Sequence, residues 1–429
     1  MERMTNVPDK GEKKRVVIIG GGFGGLKLAT KLNPARFQTI LLDKNNYHQF
    51  QPLFYQVAIA GLEVTSIAYP FRKNFQKKKG VHFRMCEVMT VLPEEKIIET
   101  SVGSIEYDYL VVATGCDTNF FGKDELKATT LPLKSISEAL YARNYILQSF
   151  ENAASGSDPK KVEELLTFVI VGGGATGVEL AGALADMKNF ILPKDYPEVD
   201  FSKMQIHLVD ASPRLLFGMS EHASEKAAET LKKRGVILHQ NVSVESYEDH
   251  VIRTGDGLQL RTNNVLWVAG VKANSLPGLD PGVYGKGNRL TVDRYCRVKG
   301  FQDIFSIGDT AYMETEKYPK GHPQVAQTAI QMAVLLAHNL EASVKGNKMK
   351  LFEYKDKGAL ATIGRNAAVA DLHQFKFGGR VAWWLWLVIH ISSIIGVKNK
   401  VLIFLDWAWN YVTYDISLRL LIKPYRVEK

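Results

Sequence analysis

The sequence predicts an α/β fold: two Rossmann-type dinucleotide-binding domains in one chain, followed by a C-terminal amphipathic helical region suited to anchoring at a membrane. Three observations carry this. Gly20-x-Gly22-x-x-Gly25 follows an apolar run at 16–19, Gly172-x-Gly174-x-x-Gly177 follows another at 168–171, and five of the six tryptophans lie beyond residue 380. One dinucleotide fold needs one such glycine turn. Two of them imply two nucleotides facing each other, which suits a flavin receiving electrons from a nicotinamide.

The elements follow from periodicity and punctuation. Residues 16–19 are uninterrupted apolar positions, as in a parallel strand buried on both faces. A helix from about Gly22 stops by Leu32, ahead of Asn33-Pro34, and 39–42 form the next strand, ended by Asp43. Residues 45–60 break the rhythm with five aromatic or histidine side chains and three glutamines. Strands are expected at 81–84, 96–100 and 109–113, the last running into Thr114-Gly115. A helix is expected over 135–152, whereas the first dozen residues and 153–161 read as low in order. The pattern then repeats: strand 167–171, glycine turn, helix to about Met187, strand 205–209 and Asp210. Residues 265–270 echo 112–115 in the same place, which favours duplication of one dinucleotide fold. A third strand-to-glycine element at 304–309 and a helix over 323–340 return to the first domain. The expected domains are therefore 1–165 with 286–375 for the flavin, 166–285 for the nicotinamide, and 376–429 for membrane association.

At 429 residues the chain can bury two or three cores, and its 46% hydrophobic and 23% charged residues are ordinary for a folded protein. The formal charge is +9. From Lys376 onward eight basic residues face three acidic ones, interleaved with Trp and Tyr. This reads as contact with an anionic phospholipid surface rather than nucleic acid. Cys86, Cys116 and Cys296 are scattered, with neither a Cys-x-x-Cys nor a metal cluster, and suit a reducing compartment. The charged N-terminus lacks the apolar stretch of a secretion signal.

The glycines have distinct tasks. The first permits the turn, the second lets backbone approach pyrophosphate, and the third lets helix pack on strand. Gly20, Gly22 and Gly25 are assigned to one nucleotide; Gly172, Gly174 and Gly177 to the other. Asp43 lies 18 residues beyond Gly25 at a strand end, the place of a ribose-binding carboxylate, with a loop cap as the alternative. Asp210 corresponds to it, and a carboxylate there repels a 2′-phosphate, favouring NADH over NADPH; nearby Arg214 softens that repulsion. Asp309 is expected at the ribityl or phosphate region, or else as a helix cap. Glu179, two residues after Gly177, either faces the reacting rings or satisfies the helix dipole.

Together these pieces resemble type II NADH:quinone oxidoreductases, single-subunit respiratory flavoenzymes that do not pump protons. The resemblance covers nearly the whole chain. It rests on Gly20-Gly-Gly-Phe-Gly-Gly25, Tyr47-His-Gln-Phe-Gln-Pro-Leu-Phe-Tyr-Gln-Val-Ala58, Gly172-Gly-Gly-Ala-Thr-Gly-Val-Glu-Leu-Ala-Gly182, Ser306-Ile-Gly-Asp-Thr-Ala311, Ala326-Gln-Thr-Ala-Ile-Gln331, Ile363-Gly-Arg-Asn-Ala-Ala-Val-Ala370 and Gly379-Arg-Val-Ala-Trp-Trp-Leu-Trp386. It implies non-covalent FAD in the first domain, NADH as substrate in the second, and a membrane quinone, ubiquinone or menaquinone, as acceptor. It also implies that Gln327 and Gln331, four residues apart on one helix face, hold quinone carbonyls. Gln51, Thr114 and Gly115 would line the flavin, and Lys376 would stabilise a reduced, anionic ring. By residue type alone, the glutamines are ordinary surface residues and Lys376 an interfacial lysine. Where the family often has Pro-Pro-Thr, this chain reads His322-Pro-Gln-Val325, and the calcium-binding insertion of some eukaryotic relatives is absent.

The tail offers apolar stretches at 381–397 and 401–414, each short of a comfortable bilayer span. With Trp383, Trp384, Trp386, Trp407 and Trp409, and with Lys398, Lys400, Arg419, Lys423 and Arg426, they read as two helices lying in the membrane interface, peripheral on the cytoplasmic face of the cell membrane. A homodimer through this region remains open. Rival enzymes in the same architecture fit less well: disulfide reductases need a cysteine pair, and a ferredoxin reductase needs no lipid-seeking tail. The rival of another class is a non-catalytic, NADH-responsive flavoprotein.

Overall fold

The computed structural model describes residues 3, 4, 6–372, 374–413 and 418–422. The chain divides into two compact units. One comprises the chain through Gln49 with Ala68–Asp117 and Val271–Asp356; the other comprises Phe50–Ile67, Thr118–Gly270 and the chain from Lys357 onward.

The first unit is organised by a five-stranded parallel sheet in the order Ile304–Ser306, Tyr109–Val112, Lys14–Ile19, Phe37–Asp43, Val81–Met85. The central strand pairs on both sides, Val16 with Thr39 and with Tyr109. That explains its unbroken apolar run: Val16, Val17 and Ile18, on the central strand of a parallel sheet, are fully buried. The helix Phe23–Lys31 follows the first glycine turn. It packs closely on the helix Ala326–Val344, since Gly24 lies opposite the Ala329 backbone. That second helix starts at Ala326, three residues later than the sequence suggested. Val325 is still extended, with φ −133°, and His322 upstream is committed to the loop through its Nδ1, 2.9 Å from the Met313 carbonyl.

The second unit repeats the plan with a parallel sheet in the order Leu131–Pro132, Asn264–Trp267, Thr167–Val171, Gln205–Asp210, Val236–Gln240. The helix Ile136–Ser155 opens with a capping box in which Ser135 and Glu138 satisfy each other's backbone N–H. The low-order expectation for 153–161 is corrected. The helix persists to Ser155, and Asp158 caps a further helix, Pro159–Leu166, whose first residue is a proline with no N–H to lose. Of the first dozen residues, Met4 is buried and donates its N–H to Ser104.

The same unit gathers the short helix Phe54–Ala58, a three-stranded antiparallel sheet (Ala359–Thr362, Ala368–Leu372, Phe375–Gly378), and two terminal helices, Arg380–Ser393 and Val397–Thr413. On the first terminal helix Ala382, Trp386 and Leu387 are buried while Val381, Trp384 and Val388 are exposed. On the second, Asn399 and Ile403 are buried while Val397, Val401, Leu405, Trp409 and Val412 are exposed. Both helices thus present one apolar face inward and another outward. Among the described residues no helix is long and apolar enough to cross a membrane. The readings that fell on Tyr414, Asp415, Lys423 and Arg426 lie outside the described residues.

Candidate active site

The two glycine turns are built alike, down to single hydrogen bonds. Gly20 has φ +99° and donates its N–H to Leu42; Gly172 has φ +116° and donates to Val209. A side chain at Gly20 would strike the Ala113 carbonyl at 2.3 Å, and one at Gly172 the Ala269 backbone at 2.8 Å. A Cβ on Gly25 would sit 1.9 Å from the Gly20 oxygen; on Gly177, 1.8 Å from the Gly172 oxygen. In contrast, Gly22 and Gly174 face open space at the start of their helices, and neither helix is capped by a side chain. That leaves helix N-termini bare on the side where backbone must approach a pyrophosphate.

Each turn also has one carboxylate. Asp43 accepts from the Gly21 N–H at 2.7 Å and from Asn45 at 2.7 Å; Asp210 accepts from the Gly173 N–H and from Ser212 at 2.6 Å. The expected ribose ligands therefore brace their own turns. Burial raises the Asp43 pKa, which the backbone N–H groups of Asn45 and Gly21 partly offset. Arg214, expected to soften the charge of Asp210, spends its guanidinium on Met219, Phe217 and the Ser224 hydroxyl.

In the first unit the strand after Tyr109 ends in Thr114-Gly115, with Gly115 at φ +70°. Asn274, which the sequence did not single out, clamps this loop. Its side chain donates to the Thr114 carbonyl at 3.1 Å, and its backbone exchanges bonds with Thr114 Oγ1 and the Gly115 carbonyl. Asp309 follows Gly308, at φ +73°, and accepts the Cys116 thiol proton at 2.9 Å. Gln324, within the segment that departs from the family pattern, donates to the Asp309 carbonyl at 3.0 Å. The fit to a flavin dinucleotide rests on this set: a bare helix start at Gly22, an open position at Gly115, and carboxylates at Asp43 and Asp309.

Gln327 and Gln331 share a helix, as their spacing requires. The Gln331 amide bonds the Lys355 backbone at both ends, 2.8 and 3.0 Å, as a strand neighbour would. Gln51 is exposed at the start of a 3₁₀ turn, Gln51–Leu53, in the second unit. Lys376 is also exposed, on the outer strand of the three-stranded sheet opposite Asp371.

Glu179 lies in the wall of a cavity of about 170 Å³ within the second unit, lined also by Tyr55, Thr362, Trp386, Trp407 and Tyr411. The Thr362 N–H donates to it at 3.4 Å. The Trp386 indole N–H faces the carboxyl without completing a hydrogen bond. Burial in these apolar surroundings pushes the Glu179 pKa up to about 8. Tyr55 and Gln56 stood inside the aromatic stretch at 45–60, and Trp386 inside the tail, with no local signal tying them to Glu179.

Comparison with known proteins agrees with this geometry. The pyridine nucleotide-disulphide oxidoreductase family model matches residues 14–333, and the NDH2 C-terminal domain model matches 357–413. A type II NADH:quinone oxidoreductase of Mycobacterium tuberculosis is 35% identical over 420 residues, covering 94% of this chain and 89% of the relative. The chain belongs to the type II NADH:quinone oxidoreductase family. A mitochondrial external NADH-ubiquinone oxidoreductase of Saccharomyces cerevisiae is 30% identical, covering 93% of this chain and 81% of that one. NDH2 from Plasmodium falciparum, solved in complex with NADH, has the same fold: TM-score 0.88 at 22% identity, covering 96% of this chain and all of that one. The sulfide:quinone oxidoreductase of Aquifex aeolicus is more distant, with TM-score 0.73. Cys86, Cys116 and Cys296 form no disulphide, so this type II enzyme keeps the disulphide-oxidoreductase fold without one.

Proposed function

We propose that the protein is an FAD-dependent NADH:quinone oxidoreductase catalysing NADH + H⁺ + quinone → NAD⁺ + quinol at a membrane surface, without proton pumping. The observation that carries this is the presence of two equivalent glycine-and-carboxylate turns in a chain 35% identical to a type II enzyme over almost its whole length. When bound, FAD would supply the two-electron redox chemistry between NADH and quinone. The chain's own residues hold and orient. Gly20, Gly22, Gly25, Asp43, Thr114, Gly115 and Asp309 would hold the flavin dinucleotide, and the family resemblance assigns Gln51 to it as well. Gly172, Gly174, Gly177 and Asp210 would hold NADH. Gln327, Gln331 and Lys376 would serve the quinone side, and Glu179 would carry one of the two protons that quinol formation consumes.

The outward apolar faces of the terminal helices support a peripheral membrane reading, with exposed Lys398 on the second helix to meet anionic phospholipid; Lys400 and Arg419, also expected there, are engaged by the Ser392 carbonyl and by Asp195. In this reading the protein sits on the cytoplasmic face, and two copies joined through their C-terminal regions would share one such surface. Product stoichiometry and cofactor preference test the proposal. Holoenzyme given NADH and a short-chain quinone forms one quinol per NADH, and NADPH is a poor donor. Asp210→Gly narrows that preference. NADH oxidation yielding only reduced oxygen species would contradict the quinone assignment.

A further inference from the structure

Both terminal helices connect to the surroundings of Glu179 through a tryptophan N–H, one indirectly and one directly. The longer route passes through Gln56, Tyr55 and Thr362. An indole N–H can only donate, and Trp407 Nε1 lies 2.8 Å from Gln56 Oε1, so the carbonyl end of that amide faces Trp407. The amide nitrogen of Gln56 then donates to the Tyr55 hydroxyl at 3.0 Å. The Tyr55 hydroxyl also shares a hydrogen bond with Thr362 Oγ1, 3.0 Å away, in which either oxygen can donate. The backbone N–H of the same Thr362 donates to Glu179 Oε1. The shorter route is Trp386, 1% exposed, whose N–H has no hydrogen-bond partner among the described residues and faces Glu179. His390 holds that indole in place, stacked at 3.9 Å with its Nδ1 2.8 Å from the Trp386 carbonyl.

We infer that the two terminal helices position Glu179 for proton transfer to the quinone, acting through the hydrogen-bonded chain Trp407–Gln56–Tyr55–Thr362, which holds the Thr362 backbone N–H against the carboxyl, and through the Trp386 indole. This rests on the reading that Glu179 carries a proton in quinone reduction. Side-chain bonds that fix Thr362 keep its N–H on the carboxyl, and each donor aimed at a carboxyl favours its ionised form. The arrangement opposes the burial that keeps Glu179 protonated, so the residue can both release a proton and regain one near neutral pH. The other charged or titratable groups on the elements packed around it are Tyr55 and His390, each kept neutral by burial, and Asp186 and Arg365, which line the same cavity, Asp186 being paired with Arg234. Trp407 belongs to a helix whose other face is exposed and apolar, so the chain runs from the candidate lipid surface to Glu179. Tyr55, Gln56, Trp386 and Trp407 are thus positioning residues.

The test is the pH profile of quinone reduction by the flavin-loaded enzyme in phospholipid vesicles. An infrared titration of the protonated Glu179 carbonyl accompanies it, the band being identified by its loss in Glu179→Gln. The wild type should lose rate on an alkaline limb near the Glu179 pKa, and Glu179→Gln should abolish that limb. Tyr55→Phe and Trp407→Phe should each move limb and infrared midpoint upward, by up to the roughly one pH unit that a loosened Thr362 hydrogen bond to the carboxylate would give. Gln56→Met cuts the same chain should either aromatic variant fail to fold. If Glu179→Gln removes the limb while the chain variants leave both midpoints in place, the inference is overturned and the role of Glu179 stands. If Glu179→Gln keeps the limb, the role of Glu179 falls, and the inference with it.

Discussion

Single atoms decide most at this site. Gly177 is the sharpest case, because an added methyl would lie 1.8 Å from the Gly172 oxygen. Gly177→Ala must therefore push the second turn apart, at a cost of about 1–3 kcal/mol. The expected result is a KM for NADH raised about tenfold or more with flavin content retained; an unchanged KM would remove that turn from NADH binding. Glu179 makes the second prediction. Its folded pKa is raised from the ordinary carboxyl value to about 8 by burial. The stability it contributes is therefore fully present below the unfolded pKa, falls as pH rises, and is lost above about 8. Glu179→Gln has no such charge to bury. Between pH 5 and 8 the wild-type Tm should fall relative to that of Glu179→Gln, and parallel Tm curves would show that the carboxyl is not buried as described.

At the scale of elements, spacing placed the glycine turns and their strands, because strand, tight turn and helix leave signatures within a dozen neighbouring residues. Spacing alone failed where partners come from far along the chain. Asn274 clamps Thr114 from 160 residues away, and Tyr55 meets Thr362 across 307. No local pattern records such meetings. The Ala326–Val344 helix shows the same limit. Gln331 was legible as a polar position on one helix face, but its grip on both polar groups of Lys355 was not. Gln331→Ala should release the segment around Lys355 and slow quinone reduction while flavin reduction by NADH is largely kept; equal loss of both rates would make the residue purely structural. The terminal helices carry the remaining prediction. Replacing exposed Trp384 and Trp409 together with Glu should reduce sedimentation with anionic vesicles several-fold, most strongly at high salt where the lysines are screened. Unchanged sedimentation would remove the apolar faces from membrane binding.

For the whole molecule, the fold was readable because it repeats: two parallel five-stranded sheets, each with a glycine turn on its central strand and a carboxylate at the end of the next. What the repeat could not reveal was how the irregular pieces collect. Phe50–Ile67, interrupted by glycine and proline and without clear periodicity, joins the sheet built on Thr167–Val171 and the terminal helices in one unit. There its aromatic and amide side chains complete the cavity beside Glu179. The central claim is that this chain moves two electrons from NADH through FAD to quinone, and rapid mixing tests it most directly. Anaerobic holoenzyme mixed with one equivalent of NADH should lose its flavin absorbance, then recover it on adding quinone far faster than on adding oxygen. Recovery no faster with quinone than with oxygen would contradict the account.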